Sequence, residues 1–598
     1  MEKKRNEIDN KYKWDLTKMV KDEEDFLDKR NKVISLVNEI KNMKSNIMKS
    51  SDTFLTYLKV DEELSILFEG LYIYAYLYYY QDMADTYGKN LKSSVDSLND
   101  SITSNLSFVS SEILSTSYDT VKEYLKENNE LKKYAFMLEK MFRYQKYSLS
   151  ECEEKIIAEA TNAFGTPHDV FSNMDNVDID LGFIKDESGK KVKLTQANYI
   201  KYMGSNVRSV RKDAFNKMYS YFKKFNNTIS ASFLGSIKEN FFYSKVRGFN
   251  SPLEQSLYSD AIELDVYDNL INKVHDNMYL MDKYMKVRNK CLGKKQHMYD
   301  IYVDLVEKKD KDISFDDAKK HLFLALKPLG SNYLLDLEHA FNDKWIDIYP
   351  NEFKKSGAYQ WGSYGYNPYV SINFDNTLDS VSTLAHELGH AMHTFYSNKN
   401  NTFVDANYPI FLAEIASTVN EVLVDDYFYK NATSKDEKII YLTNFLDKFR
   451  TTIYRQTMFA EFEKIVYNKF ISEIPLTSDE LCNTYYELNK LYYGKNVVSD
   501  ESIRYEWSRI PHFYTPFYVY KYATGLASAL TIASELLSGN NEMKENYKKF
   551  LSAGGSNYPL DILKSVGIDM TKSDALDKAF KMFNEKLEEL ERIVDGEV

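Results

Sequence analysis

A mainly α-helical body with a small β element is the fold class that this sequence predicts, and three observations carry it. Apolar residues recur at three- and four-residue spacing through most of the 598 residues, prolines number only ten, and extended patterns are confined to two places. Segments such as "EDFLDKRNKVISLVNEIKNM" (Glu24 to Met43) and "ECEEKIIAEATNAF" (Glu151 to Phe164) show the amphipathic spacing, separated by short polar turns. The extended stretches are "NVDIDLGFIKDESGKKVKLT" (176–195), which reads as a hairpin turning at Ser188-Gly189, and "GAYQWGSYGYNPYVSINFD" (357–375). No repeat of fixed period and no long linker interrupts the chain. We therefore divide it into an N-terminal helical lobe, 1–200, containing the hairpin, and a region 201–598.

Composition removes several classes of function. With 77 Lys and Arg against 89 Asp and Glu, the net charge of −12 leaves no basic excess for phosphates, which argues against a nucleic-acid partner. The basic cluster in "NYIKYMGSNVRSVRKDAFNKMYSYFKKFNNT" (198–228) reads as a solvated helix face. The three cysteines, Cys152, Cys291 and Cys482, are too few and too scattered for a disulfide framework and fit a reducing compartment. The start, "MEKKRNEIDNKYKWDL", has charge but no apolar run after it, so a cytoplasmic location is expected. "LYIYAYLYYY" (71–80), flanked by Glu69 and Asp82, is too short to span a bilayer and reads as a buried helix, which leaves no membrane anchor. The 49 tyrosines read as compositional bias.

One stretch carries chemistry. In "TLAHELGHAMH" (383–393), His386 and His390 stand four apart, so a helix puts both imidazoles on one face, one turn apart. Glu387 leaves the helix at the edge of that face, where its carboxylate can serve as a base beside a metal without ligating it. At this composition H-E-x-x-H arises by chance in about one chain in a hundred, and here it also sits in helical periodicity after an extended run, with Asp379 or Ser380 as the expected cap. A catalytic ion needs a third protein ligand. His393 lies a turn too far along the same helix. Glu414 and Glu421, seven apart in the otherwise apolar "YPIFLAEIASTVNEVLVDDYF" (408–428), are the other candidates, because carboxylates in such a helix require a cation or donors.

These segments, with "FLAEIASTVNE", "WSRIPHFYTPFYVYKYATG" (507–525), "YKWDL" and "SPLEQSLYSDAIELDVYDNLI", resemble the oligoendopeptidase F group of the thimet-oligopeptidase family of zinc metallopeptidases over nearly the whole chain. The resemblance implies a large helical body enclosing a deep substrate channel. It also implies one Zn2+ held by His386, His390 and Glu414, with Glu421 on a ligand imidazole; His393 stays as an alternative ligand. Glu387 would act as general base and then acid. His512, with Tyr514, Tyr518 and above all Tyr520, would face the substrate carbonyl. The segment Tyr369, Val370, Ser371 is expected to be an edge strand that takes the substrate backbone by β-addition, with Gly362 and Gly365 permitting its approach. The activity implied is hydrolysis of internal bonds of short unstructured peptides. An exopeptidase would need a charged pocket for a peptide terminus, which is not legible, and a silent peptide-binding protein would be expected to lack Glu387 or a ligand.

Overall fold

The computed structural model describes residues 3–307 and 312–596. Helix accounts for 72% of the chain and the strands are two or three residues long, so the mainly α class holds. Two compact units interleave along the sequence. The first joins Met1–Ser148, Asp310–Tyr427 and Ile532–Gly567; the second joins Leu149–Lys309, Phe428–Thr531 and Ile568–Val598. The linear division at 200/201 differs from this arrangement, because the packing that joins distant stretches leaves no mark in local composition.

In the first unit, a long helix, Ser51–Gln81, begins in a reciprocal cap: the Ser50 hydroxyl accepts from the Thr53 N–H while the Thr53 hydroxyl accepts from the Ser50 N–H. Its residues Leu71, Ile73, Tyr74, Ala75 and Leu77 are buried, but Tyr72, Tyr76 and Tyr80 on another face are only partly so. The run expected to be a buried helix is therefore buried on one side. Among the described residues no helix is long and apolar enough to cross a membrane.

The strands, in chain order, are β1 (Phe183–Lys185), β2 (Lys191–Lys193), β3 (Gln296–His297), β4 (Ile346–Asp347), β5 (Tyr359–Trp361), β6 (Tyr369–Ser371) and β7 (Val497–Val498). The sheet of the first unit has the order β4-β6-β5, with β6 parallel to β4 and antiparallel to β5. This corrects the expectation for Tyr369, Val370 and Ser371: they form the middle strand, paired on both sides and at most 1% exposed. The chain before them folds back through "GSYGYNP" and covers the edge. Gly365 turns there at φ +83°, and Gly362 lies so close to Pro368 and Thr394 that a Cβ would sit 3.0 Å from each. Both glycines thus shape the hairpin. The N-terminal segment fastens the sheet from behind: Arg5 pairs with Asp347, the Asp15 N–H donates to Lys344 O (3.0 Å), and the Tyr369 hydroxyl donates to Asp15 O (2.8 Å).

In the second unit β1 and β2 form an antiparallel hairpin that turns at Gly189 (φ +82°), and β3 pairs with β7 in parallel. The basic cluster of 208–224 is not wholly solvated, since Arg211 is buried and, with Arg208, grips the buried Asp300 at 2.6 and 2.9 Å. A buried carboxylate needs such partners, and the sequence does not reveal that they lie 92 and 89 residues away.

Candidate active site

The motif occupies a helix over Leu378–Asn400. Its cap is Thr377, whose hydroxyl accepts from the Ser380 N–H at 3.2 Å, rather than Asp379 or Ser380. A second helix, Ile410–Lys430, crosses the first at Gly389, where an added Cβ would stand 2.5 Å from Ser417 Cα. The Asn420 amide ties the pair by donating to Ala385 O at 3.1 Å. This close approach brings carboxylates of one helix to the imidazoles of the other.

His386 Nε2 and His390 Nε2 lie 3.2 Å apart, and Glu414 Oε2 is 3.6 Å from the first and 3.7 Å from the second. An ion bound tetrahedrally with bonds of about 2.0–2.1 Å requires ligand atoms about 3.3–3.4 Å apart. The triangle fits, and the donor set of two imidazoles and a carboxylate suits a borderline divalent cation. Glu421 accepts from His386 Nδ1, which leaves the Nε2 lone pair turned to the centre, and His390 is held by a hydrogen bond to the Ala413 backbone. The Ser417 hydroxyl donates to Glu414 O at 3.0 Å.

The electrostatics also fit a cation. Glu387, 6% exposed, is pushed up to about 7, first by burial and further by the charges of Glu414 and Glu421, against the opposing effect of His386. Burial and the charge of His386 push His390 down to about 3. Burial acts to lower His386 as well, but its hydrogen bond to Glu421 and the surrounding carboxylates win and raise it. Three carboxylates around two histidines relax when a positive ion joins them.

His393 stands apart from this triangle. It is 1% exposed, stacks on Tyr408 with ring centroids 3.7 Å apart and planes at 6°, and is pushed down to about 3 by burial. Thr394 is the residue the sequence reading missed. His386, His390 and Thr394 follow at four-residue steps along one face, and the Thr394 hydroxyl donates to Gln360 Oε1 of β5 at 3.3 Å. The signal was present as one further step of four. The contact places β5 beside the histidine face. Val370 N–H donates to Trp345 O, so Tyr369 and Ser371 turn their backbone groups to β5, and alternation turns the N–H and C=O of Gln360 outward on the open edge.

His512 and the tyrosines belong to the second unit. His512 Nε2 is 3.3 Å from the Tyr522 hydroxyl, and Tyr518 stacks at a centroid distance of 6.1 Å, so these three cluster. Burial, then the charge of Arg455, holds His512 below its usual range. Tyr514 stacks on Phe171 and donates to the Ser232 hydroxyl at 3.1 Å. Tyr520, the tyrosine favoured from sequence, is 1% exposed and packed beside Tyr267, while Tyr522, which the sequence reading passed over, meets the histidine instead. Tyr520 opens a helix whose inner face points to the core, and its neighbour two residues on faces outward.

Two histidines one turn apart with an interposed buried glutamate, completed by a carboxylate from a crossing helix, define a metallopeptidase type of centre. Comparison with known proteins agrees. The family model described as Peptidase family M3 matches residues 201–582, and the one described as Oligopeptidase F matches 112–180. Group B oligopeptidase PepB of Streptococcus agalactiae serotype III (strain NEM316) is 36% identical over 595 residues, covering 99% of each chain. The crystal structure of oligoendopeptidase-F from Enterococcus faecium superposes with a TM-score of 0.74 at 31% identity, over 96% of this chain and 99% of that one. A solved chain from Chlamydophila abortus reaches 0.93 at 34% identity, over 99% and 100%. The chain belongs to peptidase family M3, a family of metallopeptidases.

Proposed function

We propose that this M3 peptidase is a zinc-dependent endopeptidase that cuts internal bonds of short, unstructured peptides in the cytoplasm. The observation that carries the reading is the triangle of His386 Nε2, His390 Nε2 and Glu414 Oε2, with sides of 3.2 to 3.7 Å and the Glu387 carboxylate beside it. Zinc at those three atoms supplies a Lewis acid and makes water nucleophilic near neutral pH. The chain's own residues do the rest. Glu421 keeps His386 in the tautomer that offers Nε2. A Glu387 oxygen takes the proton of the attacking water and returns it to the leaving amine nitrogen. The outward N–H and C=O of Gln360 on β5 hold the peptide backbone as an added strand, a role that moves here from the covered β6. The sequence resemblance adds His512 as a donor to the developing oxyanion.

Backbone addition calls for no peptide terminus, which favours cleavage at internal bonds. It also requires an extended chain, which favours short unstructured peptides of roughly five to twenty residues over folded proteins. The cytoplasmic location rests on three free thiols in a chain without disulfides. Mass spectrometry of a peptide length series, with and without chelator, tests the reading. Internal, chelator-sensitive cuts restored by Zn2+ are expected, with turnover in Glu387→Gln lower by at least ~10²-fold at unchanged metal content. Release of single terminal residues only, or full activity of Glu387→Gln, refutes it.

A further inference from the structure

The tyrosine-rich run of 71–80, read from sequence as a buried helix, belongs to a face that lies next to β5. Phe68, Tyr72, Tyr76 and Tyr80 stand at four-residue steps on one face of the helix Ser51–Gln81. Their ring centroids follow at 5.8, 4.5 and 5.6 Å. The ladder meets the side chains of β5: Trp361 lies 6.2 Å from Tyr72 and 5.8 Å from Tyr76, and Tyr359 lies 5.8 Å from Tyr80. Each of these residues is partly exposed, although the Tyr359 hydroxyl itself is buried. A hydrogen bond from the Tyr76 hydroxyl to Asp96 Oδ1 (2.8 Å) and the Lys355 ammonium over the Tyr80 ring (3.8 Å) hold the ladder in place.

Strand alternation then fixes what an added peptide meets. On β5, Gln360 points to the motif helix, where Thr394 binds it, while Tyr359 and Trp361 point to the ladder. A peptide residue paired with Gln360 shares its face and turns its side chain towards the metal helix. The residues before and after it lie opposite Tyr359 and Trp361, with their side chains on the aromatic face. We infer that this ladder is a specificity surface for bulky apolar or aromatic side chains at two peptide positions separated by one residue, the first beside Tyr359 and Tyr80, the second beside Trp361, Tyr72 and Tyr76. The inference rests on the strand-addition reading of the peptidase and adds side-chain selectivity to it.

The test moves a single Phe, one position at a time, through an otherwise Ala- and Gln-based peptide of fixed length. The full-length, zinc-loaded enzyme is used, cut bonds are located by mass spectrometry, and kcat/KM is measured for each peptide. Two favoured positions, two residues apart when counted from the cut bond, are expected, each with a Phe-over-Ala ratio of roughly 3 to 10, the scale of an aromatic pair. In Trp361→Leu the ratio at one of them falls to about 1, and in Tyr80→Leu the ratio at the other does. Because each ratio is taken within one preparation, a general loss of activity does not enter. Tyr72→Leu repeats the first removal from the helix side should Trp361→Leu fail to fold, and Tyr72→Phe, which keeps the ring, retains selectivity. A flat Phe scan, or ratios unchanged in both Leu variants while peptides are still cut internally, overturns the ladder alone. Absence of any internal, chelator-sensitive cleavage overturns the endopeptidase reading and this inference with it.

Discussion

Replacing Gly389 by Ala adds one methyl group where the two ligand-bearing helices cross. That carbon would stand 2.5 Å from Ser417 Cα, 2.7 Å from Ala416 O and 2.8 Å from Ser417 N, all backbone atoms that no rotamer change can move. Carbon contacts rest near 3.5 Å or beyond, so the second helix must retreat by roughly 1 Å. Glu414 sits three residues before Ser417 and moves with it. Its distances of 3.6 and 3.7 Å to the two imidazole nitrogens then open well beyond the span that one tetrahedral ion tolerates. Overpacking costs about 1–3 kcal/mol, and the better helix propensity of Ala returns about 1, so the fold survives with a net loss of roughly 0–2 kcal/mol. Metal affinity is expected to fall by at least 10- to 100-fold, the scale seen when ligand support is disturbed. Competitive chelator titration with a melting curve on the same sample separates the two effects. Wild-type metal affinity in a folded Gly389→Ala enzyme refutes the reasoning.

Further outcomes follow from the same geometry. Glu414→Ala should lose most of its bound metal, whereas His393→Ala should keep it and instead melt at lower temperature, because that imidazole is stacked on Tyr408; elemental analysis and thermal melts of both variants decide between ligand and core roles. His512→Ala should lower kcat by roughly 10²-fold with little change in KM, as expected for a donor that acts in the transition state; steady-state kinetics showing the reverse pattern would return His512 to a packing role. Glu463, fully buried with Oε1 accepting from the Phe517 N–H at 2.9 Å, is pushed up to about 8 by burial. The folded state holds its proton between the ordinary carboxylate range and pH 8 while the unfolded chain does not, so this contribution to stability falls as pH rises through that window, by up to about 1.4 kcal/mol per unit. Glu463→Gln should flatten that part of the curve of melting temperature against pH, and an unchanged slope would contradict the assignment.

What the sequence reveals follows the range of the interaction. His386, Glu387 and His390 are legible because helical spacing alone brings them together, and Glu414 and Glu421 stand out as a pair because a carboxylate in an apolar helix needs a reason, the choice of Glu414 between them coming from the family resemblance. The helical class is legible for the same local reason. The status of β6 was not, since being an edge or a middle strand depends on which other strands arrive, and β4 and β5 reach it from opposite sides with opposite directions. That Tyr522 rather than Tyr520 meets His512 was also hidden, because four tyrosines within nine residues look alike until the core chooses which to bury. The pairing of Arg211 with Asp300 spans 89 residues and has no local trace.

The interleaving of the first unit sets a clock on the ribosome. His386, His390 and Glu414 emerge within 29 positions of one another, yet the helices that bear them rest on residues made much later: Phe550 packs on His393 at 5.2 Å, and the Tyr547 hydroxyl reaches Ala416 O at 3.5 Å. At about 5–20 residues per second, the stretch from 427 to 550 takes roughly 6 to 25 seconds to translate. Through that interval the candidate ligands exist without these two contacts. The order of the segments alone therefore puts the residues that buttress the two helices after the candidate ligands in synthesis, so these contacts can form only once the chain has grown past Phe550.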